Sequence, residues 1–126
     1  MNIAVTDTSS LPLYQQIYDQ IAAGIVRGEM AGGEALPPIR TVAAELRVSV
    51  ISVKRAWEEL ERDGFIVTAV GRGTFAACLS DEQRKERRRM LIKGKLAPGL
   101  AFCRKVGADF TEIEAVIRES MGEENQ

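Results

Sequence analysis

Histidine is absent from this chain of 126 residues, and cysteine occurs only at Cys78 and Cys103. Without histidine there can be no Ser-His-Asp triad and no imidazole base, and the commonest transition-metal ligand is missing. The two cysteines lack the paired spacing of a zinc or dithiol site and read as free thiols; a disulfide or a redox-sensing role is the minor alternative. No run of about 18 apolar residues exists, and no charged segment leading into an apolar one opens the chain. A soluble, cytoplasmic protein is the expectation, with no membrane contact, metal, cofactor or enzyme activity. The length allows one domain, or one of about 80 residues with a helical appendage, and leaves no room for a separate catalytic domain.

An excess of charge is missing too. The net charge is −1, which argues against a generally basic nucleic-acid binder. The average hides a pattern, since residues 1–79 carry −2, residues 80–105 carry +6 and residues 106–126 carry −5. Site-specific binding needs positive charge only where phosphates lie.

What is present is strongly periodic. Ser10 is positioned to cap a helix with Pro12 in its first turn, where the missing N–H costs nothing, and Tyr14, Ile17, Ile21 and Ile25 make its apolar stripe up to Gly28. The glycine-rich stretch 28–35 reads as a turn leading to a short extended piece at Ala35-Leu36, and Pro37-Pro38 opens the next helix. Ile39, Val42, Ala43 and Leu46 form one face of about two turns, leaving Arg40, Thr41 and Glu45 exposed. After a break at Arg47-Val48, Ser49 caps a longer helix to Arg62 that carries Val53, Ala56, Trp57 and Leu60. A short helix, a tight turn and a longer helix are the helix-turn-helix signature. The β-branched run 65–70, the turn Gly71-Arg72-Gly73 and the extended residues 74–77 then give a β-hairpin. The fold class is therefore mainly α with a small β-hairpin, a winged helix-turn-helix over residues 1–79.

Residues 80–126 read as a two-helix appendage. Ser80 and Gln83 form a capping box for a charged helix running to about Val106, which Pro98 should kink or split near Ala97. Its second half places Leu96, Leu100, Cys103 and either Val106 or Gly107 on one stripe. Thr111 and Glu114 suggest a second capping box for a helix with Ile113, Val116, Ile117 and Met121 on its apolar face, fraying from Glu123. Two short helices lack the volume for a core of their own, so a C-terminal dimerisation region that pairs with the same helices of a second copy is the economical solution. The groove between subunits is the one place with room for a small-molecule effector.

In order and spacing, Leu13 to Ile17, Gly28-Glu29, Gly33, Leu36-Pro37, Arg40, Ala43, Leu46 to Val53, Glu59 to Gly64 and Gly71 to Phe75 resemble the DNA-binding domain of the GntR family. The resemblance covers residues 11–77, and the short remainder looks like the appendage of the YtrA subfamily. It implies a homodimeric regulator, a repressor in most relatives, on double-stranded operator DNA with roughly palindromic half-sites. It also implies a short strand at Ala35-Leu36 joining the wing. Arg40 falls at a DNA-contacting position, as do Ser49, Ser52 and Lys54, with Arg55 a neighbour able to reach the backbone. Arg72 and Gly73 match the wing tip that enters the minor groove. Two departures stand out. Val50 and Ile51 occupy the first recognition turn where relatives carry polar residues, leaving them only thymine methyl groups to pack on. Arg47 replaces a common glycine, so the turn is strained or more regular than usual.

Other readings stay open at this stage. A winged-helix module that pairs with a protein and reads no DNA fits the acidic net charge and the Val50-Ile51 pair. The run Arg84 to Arg89, with Lys93 and Lys95, is either a solvated face balanced by the acidic tail or a set of further phosphate contacts. Trp57, at helical spacing from Val53 and Leu60, reads as core rather than as a base-stacking residue.

Overall fold

The computed structural model describes residues 2–124, in which the elements are α1 (Leu13–Val26), α2 (Ile39–Leu46), α3 (Val50–Arg62), β1 (Ile66–Ala69), β2 (Gly73–Ala76), α4 (Asp81–Lys105) and α5 (Phe110–Glu124). They form two compact units, one up to Arg87 and one from Arg88. The first turns of α4, up to Arg87, belong to the first of these units.

In the first unit α3 is the hub, with α1 and α2 both packed on it. The apolar stripe of α3, Val53, Ala56, Trp57 and Leu60, is buried together with Ile17, Ile21 and Ile25 of α1, Val42 and Ala43 of α2, and Phe65 and Ile66 beyond α3. Trp57 is 5% exposed, which makes it a core residue. Tyr18 ties the two long helices together. Its ring meets Phe65 edge-on at 6.0 Å, and its hydroxyl donates to Asp63 Oδ2 at 2.5 Å just past the end of α3. Burial, with Asp63 beside it, pushes the Tyr18 hydroxyl well above its ordinary value. Burial works against the Asp63 carboxylate too, but hydrogen bonds from Arg62 and Tyr18 outweigh it and hold Asp63 below the usual range.

The hairpin is antiparallel, with Ile66 opposite Ala76 and Ala69 opposite Gly73. A third strand-like segment joins it: Ala35 bridges Phe75, and Leu36 N–H donates to the Thr74 carbonyl at 2.8 Å. The short strand implied by the family resemblance is therefore present.

Several helix ends differ from the expectations. α1 begins at Leu13 with Pro12 as an uncapped N-cap residue, so Ser10 does not cap it. The Pro12 carbonyl instead accepts from Gln15 and Gln16 N–H, both at 3.1 Å. Ahead of α1 the chain is held by side-chain amides. Gln20 bonds both backbone groups of Ala4, and Gln16, 8% exposed, bonds both of Thr6 as well as the Leu11 carbonyl. α3 starts as expected, with Ser49 Oγ accepting from Ser52 N–H at 3.1 Å. The turn before it is the strained alternative, with Arg47 left-handed at φ 57 and ψ 45 as the C-cap of α2.

The Ser80-Gln83 capping box is reciprocal, with bonds of 2.9 and 3.1 Å. α4 then turns two of its arginines onto the first unit. Arg87 Nε donates to the Gly64 carbonyl at 3.1 Å, and Gly64 is itself left-handed at φ 81, a conformation that favours glycine. Arg84 is half-buried near Gly28. Each cation thus sits at the negative end of a helix, α3 and α1 respectively. For these two side chains neither the solvated-face nor the phosphate reading of the basic run describes the contact.

In the second unit α4 continues through Pro98 to Lys105 without splitting. Gly107, at φ 85, supplies the stop. The cap of α5 is Asp109, whose Oδ1 accepts from Glu112 N–H at 2.9 Å, so the Thr111-Glu114 box expected from sequence does not form. Asp109 lies nearer the glycine stop, and an aspartate caps as well as a threonine. Helical structure persists through Glu124, beyond the expected fraying point, while Asn125 and Gln126 lie outside the described residues. No side chain of the described residues after Ala76 is buried.

Candidate nucleic-acid interface

Two sets of residues proposed from sequence come together in space. Pro37-Pro38 fixes extended backbone and starts α2 at Ile39, which places Arg40 exposed in its first turn. The hairpin loop Val70-Gly71-Arg72 is closed by Arg72 N–H donating to the Ala69 carbonyl at 2.9 Å, with Gly71 and Gly73 at φ 79 and 116. Positive φ at both positions makes this a glycine turn and leaves Arg72 at its tip. Arg40 and Arg72 then line one cleft of about 380 Å³, with Trp57, Gly73 and Thr74 among its walls. Two guanidinium groups far apart in sequence thus share one concavity, and both are free to grip phosphate oxygens or guanine edges.

The outer face of α3 is a second surface. Ile51, Lys54, Arg55 and Glu58 line a shallow hollow of about 700 Å³. Ser49 and Ser52 are engaged with each other, since Ser49 Oγ also donates to Ser52 Oγ at 3.0 Å. Arg55 lies 3.7 Å over the Tyr14 ring and its Nε donates to Glu59 at 3.1 Å, leaving its terminal N–H groups for a phosphate oxygen. Val50 and Ile51 stand in solvent.

Two residues here lie outside the sequence-derived set. Tyr14, placed by its period in the apolar stripe of α1, is a platform for Arg55, and its position at the start of the helix is the available signal. Val70, at the end of the β-branched run, is 99% exposed at the wing tip.

In the second unit, Leu96, Leu100, Cys103, Ile113, Val116 and Ile117 line one groove of about 450 Å³ between α4 and α5. Val106 joins it, which settles the choice between Val106 and Gly107. Met121 lies outside the groove and is exposed, as are Phe102 and Phe110, two aromatics off the expected stripe.

A helix-turn-helix backed by a three-segment wing, with cationic side chains at the start of α2 and at the wing tip, defines a winged-helix transcription regulator with a DNA-binding domain. Residues 13–76 match the bacterial regulatory proteins of the gntR family. The HTH-type transcriptional repressor YtrA of Bacillus subtilis is 30% identical over 93% of this chain and 90% of its own length. Among solved structures, a transcriptional antiterminator from Listeria monocytogenes matches at 29% identity and TM-score 0.72, over 96% of this chain and 90% of that one. YtrA from Sulfolobus acidocaldarius, a GntR-family transcription factor, matches at 31% identity and TM-score 0.59, over 98% of this chain and all of that one. The chain belongs to the GntR family. The curated relatives are named as transcription regulators rather than enzymes, and no helix among the described residues is long and apolar enough to cross a membrane.

Proposed function

We propose that this protein is a transcriptional repressor that binds a palindromic operator as a homodimer. The cleft shared by Arg40 and Arg72 carries the reading. With α3 in a major groove, Arg40 grips the adjacent backbone or a guanine, and Arg72 with Gly73 enters the neighbouring minor groove, where narrow A·T tracts favour arginine. Lys54 and the terminal N–H groups of Arg55 contribute phosphate contacts, while Ser49 and Ser52 fix the first turn of α3. The apolar groove around Leu100 and Ile113, and the exposed Val116, Ile117 and Met121, support pairing with a second copy, since a helix pair with nothing buried has no core to stabilise it. Twofold pairing sets two half-sites about one helical turn apart or slightly more.

Gel shifts at fixed salt test the assignment. Arg40→Ala and Arg72→Ala should each weaken operator binding by roughly 10- to 100-fold with the fold intact. Unchanged affinity in both variants would remove these residues from the interface.

A further inference from the structure

The part of α3 that would meet base edges is apolar. Val50 and Ile51 open the helix at 44% and 78% exposure. Their polar neighbours are partly engaged: Ser49 accepts from Ser52 N–H and donates to Ser52 Oγ, and Arg55 is held over Tyr14 with its Nε on Glu59. One turn further on, Glu59 pairs with Arg55 at 3.1 Å and with Arg62 at 3.6 Å, so the charged side chains of the same hollow are largely engaged with one another. Val50 and Ile51 are the exposed apolar side chains of the first turn, with Lys54 exposed one turn on.

The apolar feature that base pairs present in the major groove is the thymine C5-methyl group. We infer that Val50 and Ile51 are specificity-determining residues that read thymine methyls, so that each operator half-site carries thymine opposite the first turn of α3. The inference rests on the DNA-binding reading above and names what that site recognises. Lys54, one turn beyond Ile51, holds the flanking phosphate. Exposed branched side chains at the mouth of the helix, a hazard on an idle surface, become buried once the methyls cover them.

Uracil lacks only this methyl and keeps the hydrogen-bonding edge of thymine. The test takes the duplex that purified protein selects from random DNA and replaces each thymine with uracil in turn. Uracil at the contacted positions should weaken wild-type binding about fourfold per methyl. Val50→Ala and Ile51→Ala, both at exposed positions and checked for an unchanged Tm, should bind more weakly and lose that penalty. Wild-type affinity indifferent to uracil at every thymine, or alanine variants that keep the full penalty, would overturn the inference while leaving operator binding intact. If selection recovers no preferred sequence, the DNA-binding reading itself fails and takes this inference with it.

Discussion

Up to Arg87 the chain buries a continuous set of large side chains, Phe65, Ile17, Ile21 and Leu60 among them, whereas from Arg88 onward no described side chain is buried. Both regions are helical, and both carry apolar residues at helical spacing. They differ in closure. In the first, three helices and a hairpin enclose a volume. In the second, α4 and α5 face each other across an open groove. A helix pair of that kind gains its stability from whatever covers it, so under the proposed pairing its folding and its assembly would be one event. The first region should therefore respond to core substitutions at any protein concentration, and the second should respond through assembly.

The largest effect belongs to the closed core. Phe65→Ala should cost about 3–5 kcal/mol in denaturant unfolding, and a loss below 1 kcal/mol would mean the core is looser than described. Next comes the open region. Ile117→Glu puts a charge in the groove and should leave the unfolding of the winged-helix unit unchanged while shifting sedimentation to monomer and weakening operator binding by about 30-fold or more. Retention of a dimer would break the contrast between the two regions. A smaller effect tests the Tyr18-Asp63 tie. Tyr18→Phe should cost about 1 kcal/mol at neutral pH.

The pH dependence of that tie has a definite sign. Asp63 is held below its unfolded value, so its contribution is present above about pH 4 and is lost as pH falls through the folded value. Tyr18 is raised, so its contribution is present below about pH 10 and is lost as pH climbs toward the folded value. Tyr18→Phe should abolish the alkaline limb and leave the Arg62-supported part of the acid limb. An effect of similar size has the opposite sign. Arg47→Gly should stabilise the fold by roughly 1 kcal/mol, because only glycine adopts the left-handed turn without strain. A destabilised Arg47→Gly would mean that the arginine side chain is holding the turn.

Where apolar period and boundary residues agree, as with Pro37-Pro38 before α2, Ser49 before α3 and the glycines of the hairpin turn, the elements are legible in the chain. Ser49 is readable as a cap because it follows the break at Arg47-Val48 and precedes the periodic run that begins at Val53. Asp109 was not, because Thr111 and Glu114 offer a matching pattern two residues later and only the backbone decides between them. The same limit applies to the candidate site. Arg40 and Arg72 could be named from motif position, but their shared cleft depends on how the wing folds back toward α2, a long-range fact. Arg84 and Arg87 read as a charge run because a helix places every third or fourth residue on one face, and nothing local says which face meets the ends of α1 and α3. Arg55 is the same kind of case, since its partner Tyr14 is supplied by another helix.

The central claim is that a winged-helix unit reading DNA through Arg40, Arg72 and the first turn of α3 is presented twice by a paired second region. Selection of bound sequences from random duplex DNA by the purified full chain tests it most directly. The account predicts an inverted repeat whose half-sites lie about one helical turn apart or slightly more. A pool with no enriched sequence, or a single unrepeated half-site, would contradict it.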